Sequence, residues 1–302
     1  MRGDIAPVIL HPWYCTRDVA SAGCSGIDKR GPQTDHGPVG ISIKRIYDEP
    51  DARDGFRILV DRLWPRGMRK ERAGLDLWMR DIAPSSQLRK WFGHIPERFA
   101  EFSQRYRGEL DANTEAVYEL RDLVLARGTV TLLYAAKDPV VNHAAVLRDY
   151  MNANIADHAY HLFDARMPIA SLCDCIRVGK GLRDAIVMRI IDPSLTVGEF
   201  QVLATPGASC RTRIPDAVGE IVANGPRHPS ENDGMRIMTA AEGIAHEAWE
   251  RNDPNLHAVA GYLMWICGDR GTCGLEAKAA LMLDPNDQLA LMVLRLLHSE
   301  EP

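Results

Sequence analysis

The chain has 302 residues, enough for about two domains, with 46% apolar and 25% charged residues and a formal charge of −5. That composition is ordinary for a globular protein; no apolar run nears the ~18 residues of a membrane span, and an acidic balance gives no reason to expect nucleic acid. The N-terminal "MRGDIAPVILHPWYC" lacks the apolar core of a secretory signal, and the seven scattered cysteines form no disulfide framework, so a cytoplasmic location with reduced thiols is expected.

Residues 1–40 mix Gly, Pro, Ser, Asp and His without period and read as a disordered or loosely attached tail. "ISIKRIY" (41–47) alternates apolar and polar residues as a strand does; the turn "DEPDARDG" and a second strand, "FRILV", follow. That strand runs into "DRLWPRG". Between Arg57 and Arg72 stand Arg57, Arg62, Arg66, Arg69, Lys70 and Arg72 against only Asp61 and Glu71, a basic patch in an acidic protein.

"LDLWMRDIA" and "SSQLRKWF" then read as helical, the second capped by Ser85 or Ser86. From Pro96 onward Phe99, Phe102, Tyr106 and Leu110 recur on one helical face, a stripe that core packing explains. "AVYELRDLVLARG" is helical to Gly128, "TVTLLYAA" (129–136) is a fully apolar strand, and "KDPVVNHAAVLRDYM" is a helix with Asp138 as N-cap and Pro139 as first residue. Beyond about 155 the pattern turns mostly helical, ending in "HAVAGYLMWICGD", "GLEAKAALMLDPN" and "DQLALMVLRLL". The expected fold is α/β, a layered sheet with flanking helices over 41–155, then a linker over 156–177 and a mainly α-helical domain over 178–302.

The motifs "IKRIYD", "DGFRILVDRLWPRG", "LWMRDIAPS", "LRKWFGH", "PERFAEFSQRYRGEL" and "VTLLYAAKD" give residues 43–152 a close resemblance to the bacterial YeaO-like family, domain-of-unknown-function family 488. From about 178, "LRDAIVMRI", "AGYLMWICGD" and "EAKAALMLDPNDQLALMVLRLL" resemble more loosely the C-terminal part of domain-of-unknown-function family 4192. Neither resemblance implies a settled activity. The chain departs from the usual YeaO-like pattern at Ile95, where the family has Asp between His and Pro, and at Val141, where it has His before Asn; if the family is enzymatic, the second change implies a weakened member.

Arginine's planar fork suits phosphate or carboxylate, and a neighbouring tryptophan can stack a base. If the strands ending at Val60 and Ala136 are parallel neighbours, their loops open on one edge of the sheet. The expected site then has Asp61 and His143 as acid/base candidates and Arg62, Trp64, Arg66, Ser85, Arg89, Tyr134, Lys137 and Asn142 as ligand-binding candidates. The competing structural readings are an Asp61–arginine pair that fixes the loop, and plain helix capping at Ser85 and Asp138. His158, His161, Cys173 and Cys175 have zinc-ligand chemistry but unfavourable spacing, so neither metal nor cofactor is expected. A small anionic molecule is the expected partner. The alternative is a non-catalytic adaptor whose C-terminal helices bind another protein.

Overall fold

The computed structural model describes residues 40–163, 168–205 and 229–299, so the N-terminal tail lies outside the described residues. Four strands, β1 (Ile41–Arg45), β2 (Phe56–Leu59), β3 (Leu77–Trp78) and β4 (Val130–Tyr134), form one sheet in the order β1-β4-β2-β3. Every pairing is parallel. The alternation of side chains along a strand sorts the apolar residues into two layers. Ile58, Val60, Val130, Leu132 and Tyr134 face the main core, whereas Leu59 and Leu133 face a smaller one with Ile46, Met68 and Ala73, edged by Trp64 and Trp78. Gly55 has φ 61°, and a Cβ there would lie 2.3 Å from the Thr129 carbonyl oxygen, so only glycine lets the chain turn into β2.

Helices α1 (Lys70–Ala73), α2 (Ser86–Phe92), α3 (Phe99–Ala112), α4 (Thr114–Arg127) and α5 (His143–His161) complete the first part. Phe102, Tyr106 and Leu110 of the aromatic stripe are each 1% exposed, and Phe92 stacks on Phe102 with ring centroids 4.2 Å apart. Two local readings are corrected. "LDLWMRDIA" is β3 followed by a 3₁₀ turn, because Ile58 and Leu59 pair with Leu77 and Trp78 while the Asp76 carboxylate accepts the Arg57 N–H at 2.8 Å. α5 starts at His143 rather than Pro139. The Asp138 carboxylate folds back to accept the N–H groups of Val140 and Val141, and Asn142 caps the helix by accepting the Ala145 N–H at 2.9 Å.

Among the described residues the second part comprises α6 (Ile169–Val178), α7 (Lys180–Ile191), α8 (Val197–Ala204), α9 (Glu231–Arg251), α10 (Pro254–Ile266), α11 (Arg270–Leu283) and α12 (Gln288–Ser299). The stretch 156–177, read as a linker, carries the end of α5 and most of α6, with 164–167 outside the described residues. Leu172, Cys173, Cys175 and Ile176 are buried, at most 1% exposed, in a core shared with the sheet and with α7 to α12. Gly40, just before β1, donates its N–H to the Val178 carbonyl at the end of α6. No helix among the described residues is long and apolar enough to cross a membrane.

Candidate functional site

Because all four strands are parallel, their carboxyl ends lie on one edge of the sheet, where the ligand crevices of such sheets form. β2 and β4 are direct neighbours, so the loops after Val60 and after Tyr134 open side by side. Between them lies a cleft of about 610 Å³. Asp61, Arg62, Trp64, Arg66, Arg89 and His143, six of the ten residues expected from the sequence, line it.

The breaker "WPRG" has a local cause. The Trp64 indole N–H donates to the Met68 carbonyl at 2.8 Å, the Met68 N–H returns to the Pro65 carbonyl, and Gly67 takes φ 75°, as a tight turn requires. Trp64 also meets Trp78 edge-on, with ring centroids 5.3 Å apart. The ring is thereby fixed as a wall of the cleft. Arg66 sits exposed at the tip of the turn, its guanidinium without an ion pair among the described residues.

Asp61 does not pair with Arg62. Its Oδ2 accepts the Ala135 N–H at 2.7 Å, joining the ends of β2 and β4, and its carbonyl accepts the Trp78 indole N–H at 2.7 Å. The Arg62 guanidinium instead donates to the carbonyls of Pro84 and Ala83, at 3.1 and 3.4 Å, which holds the cleft's far wall. Arg89 comes from α2 and has no carboxylate partner among the described residues. Three guanidiniums thus face the cleft against the single carboxylate of Asp61.

His143 is the first residue of α5 and 8% exposed, and its Nε2 lies 3.1 Å from the Val60 carbonyl. A carbonyl only accepts, so Nε2 carries a proton. Asp61 Oδ1 is 3.9 Å from the same nitrogen, beyond hydrogen-bond reach. Burial pushes the imidazole below its ordinary value, against Asp61 and the Val60 carbonyl; His94 and Arg89 push it further down. Asp61 and His143 thus stand side by side at the cleft without a hydrogen bond between them.

The other four expected residues do not line the cleft. Ser85 caps α2 by accepting the Leu88 N–H at 3.1 Å, and its own N–H donates to Glu109. Asn142 is fully buried in its capping bonds, Tyr134 is 2% exposed in the main core, and Lys137 is exposed outside the cleft lining. Among the lining residues that the sequence reading did not single out, His94 alone has a titratable side chain; it follows α2 with φ 59°, a left-handed conformation that only a minority of non-glycine residues adopt. "FGH" after an apolar helix, with glycine ending it, was the available signal.

The zinc-type residues do not converge. Cys173 and Cys175 are fully buried, and burial pushes both thiols up to about 12, whereas His161 turns to the Asp157 carbonyl on its own helix at 2.8 Å. Among the described residues no group of three His, Cys, Asp or Glu side chains could hold a metal ion.

Replacing Asp61 by Ala leaves the Ala135 N–H without its acceptor and should cost about 1–3 kcal/mol in a denaturant titration. Asp61→Asn keeps an oxygen in that place and should recover most of the loss. Equal losses in both variants would mean that the charge, not the strand-joining bond, is what the fold needs.

A family model described as "Inactive DUF488-N3 subclade" matches residues 40–173. The uncharacterized protein Rv3073c of Mycobacterium tuberculosis (strain ATCC 25618 / H37Rv) is 44% identical over 112 residues, 37% of this chain and 93% of that protein. The uncharacterized protein YeaO of Escherichia coli (strain K12) is 42% identical over 115 residues, 38% of this chain and 99% of that protein. No solved structure matches. Nearly the whole length of each relative is thus matched by little more than a third of this chain, the family model covers the residues that build the sheet and its cleft, and the chain belongs to the YeaO-like family, domain-of-unknown-function family 488.

Proposed function

We propose that the cleft binds a small anionic ligand, a nucleotide or another phosphate ester, and that the domain acts by binding it rather than by turning it over. The observation that carries this reading is the charge of the lining: Arg62, Arg66 and Arg89 against Asp61, in a cleft whose remaining walls include Trp64, Phe92 and Phe102. Guanidinium forks suit phosphate oxygens, and a fixed indole suits a planar ring. The volume of about 610 Å³ lies within the range of small-molecule sites. Binding without turnover agrees with the word "inactive" in the description of the matching family, and with an Asp61 and His143 already engaged with backbone groups.

A thermal-shift series with nucleotides, sugar phosphates and carboxylates tests the reading. A true ligand at ~100 times its dissociation constant adds about 2.7 kcal/mol to stability. The shift should shrink with added salt, because the contacts are partly exposed charges. If no phosphate ester raises the melting temperature, the reading fails.

A second reading, an adaptor whose C-terminal helices bind another protein, has one feature in its favour. Leu275, Met282 and Leu283 on α11 are 64%, 85% and 38% exposed and share a face at spacings of seven and eight. Under that reading, Leu275→Glu with Met282→Glu removes the protein partner and leaves every anion-induced shift in place.

A further inference from the structure

We infer that anion binding in this cleft takes up a proton at His143, so that the ligand is held more tightly as pH falls; the inference rests on the binding reading above. His143 borders the cleft, and its Nε2 proton is committed to the Val60 carbonyl. The titrating position is therefore Nδ1, which has no hydrogen-bond partner among the described residues. A proton added there turns a buried neutral ring into a cation with a new N–H.

The surroundings decide when that happens. Burial disfavours the imidazolium. Arg89 from α2 and His94 from the loop after it oppose it too, and the N-terminal position in α5 places it at the positive end of a helix dipole. Of the remaining neighbours, Arg62 is cationic and Phe102 from α3 is uncharged, and only Asp61 and the Val60 carbonyl favour the charged ring. A dianion among the three guanidiniums adds two negative charges to this balance and shifts it toward the protonated ring. By linkage, whatever favours the protonated ring when bound is itself favoured by the proton. The sign follows: affinity is highest below the ring's value in the complex and falls as pH rises through it.

Inorganic sulfate is a suitable probe, because it stays a dianion throughout the relevant range. Calorimetric titration between about pH 8 and pH 5.5 should show sulfate affinity rising on the order of tenfold as pH falls. His143→Gln keeps an N–H for the Val60 carbonyl but cannot titrate, so the rise should vanish in that variant. Should the variant fail to fold, the His143 ring resonances of the unmodified protein, assigned through Ala144, report the same event: sulfate should displace their titration upward. Sulfate binding with a flat pH profile, or a slope that survives in His143→Gln, overturns this inference alone. No sulfate binding at any pH overturns the binding reading, and this inference with it.

Discussion

Asp54→Ala should lower the free energy of unfolding by about 3–5 kcal/mol, the cost of stripping one partner from a buried ion pair. Asp54 is 8% exposed. It accepts Lys44 Nζ at 2.9 and 3.0 Å, the Asp51 N–H at 3.0 Å and the Arg57 guanidinium. Arg57, 5% exposed, also donates to the carbonyls of Gly74 at 2.7 Å and Ala73 at 3.2 Å. The network ties β1, β2 and the end of α1 together beneath the sheet. Without Asp54, two cations remain near one another with no anion between them. Burial pushes the Asp54 carboxyl up, but the Asp51 N–H, Lys44 and Arg57 outweigh it and hold the group below its ordinary value. Its contribution is therefore complete above the unfolded value of about 4 and is lost as pH falls through the lower folded one. Urea titrations at neutral pH and in acid should show a gap between wild type and variant that narrows in acid; a neutral-pH loss under about 1 kcal/mol would mean that the pair is solvated.

Arg66→Ala should behave in the opposite way. The side chain is exposed, lies at the tip of a turn whose bonds are made by Tyr47, Trp64, Pro65 and Met68, and has no ion pair among the described residues. Its removal should change stability by no more than about 0.5 kcal/mol. Binding is a different matter. Hydrogen bonds between charged groups contribute about 1.5–3 kcal/mol, so affinity for a phosphate ester should fall roughly ten- to a hundredfold. A calorimetric comparison of the variant with wild type checks both halves. Should Arg66→Ala instead melt many degrees lower, the turn depends on that arginine, and the anion site loses its clearest residue.

The sequence made the sheet and the cleft legible to different degrees, for physical reasons. β2 and β4 announce themselves because strands covered on both faces are continuous apolar runs, and their ends could be located to within a residue or two. β3 has only two residues, and its identity depends on pairing with β2 and on the Asp76 bond to Arg57, neither of which leaves a local pattern. Asp61, Arg62, Arg66 and His143 were readable because parallel neighbours bring loop residues to one edge. Ser85 and Asn142 cap helices and stand outside the cleft lining, and sequence could not separate the two roles because a capping side chain and a ligand-binding one have the same chemistry. Lys137 follows β4 closely, but the Asp138 turn carries it outside the cleft lining. His94 was overlooked because its place depends on a positive φ after Gly93, which no periodicity reports.

The central claim is that an anion binds at the carboxyl edge of the sheet, between the loops after β2 and β4. Amide NMR of isotopically labelled protein, titrated with the phosphate ester that gives the largest thermal shift, tests it most directly. The account predicts saturable shifts at Leu63, Arg66, Arg89, His94, Ala135 and Ala136, the residues around the three guanidiniums. Shifts confined to α9 through α12, or no saturable shifts anywhere, would contradict it.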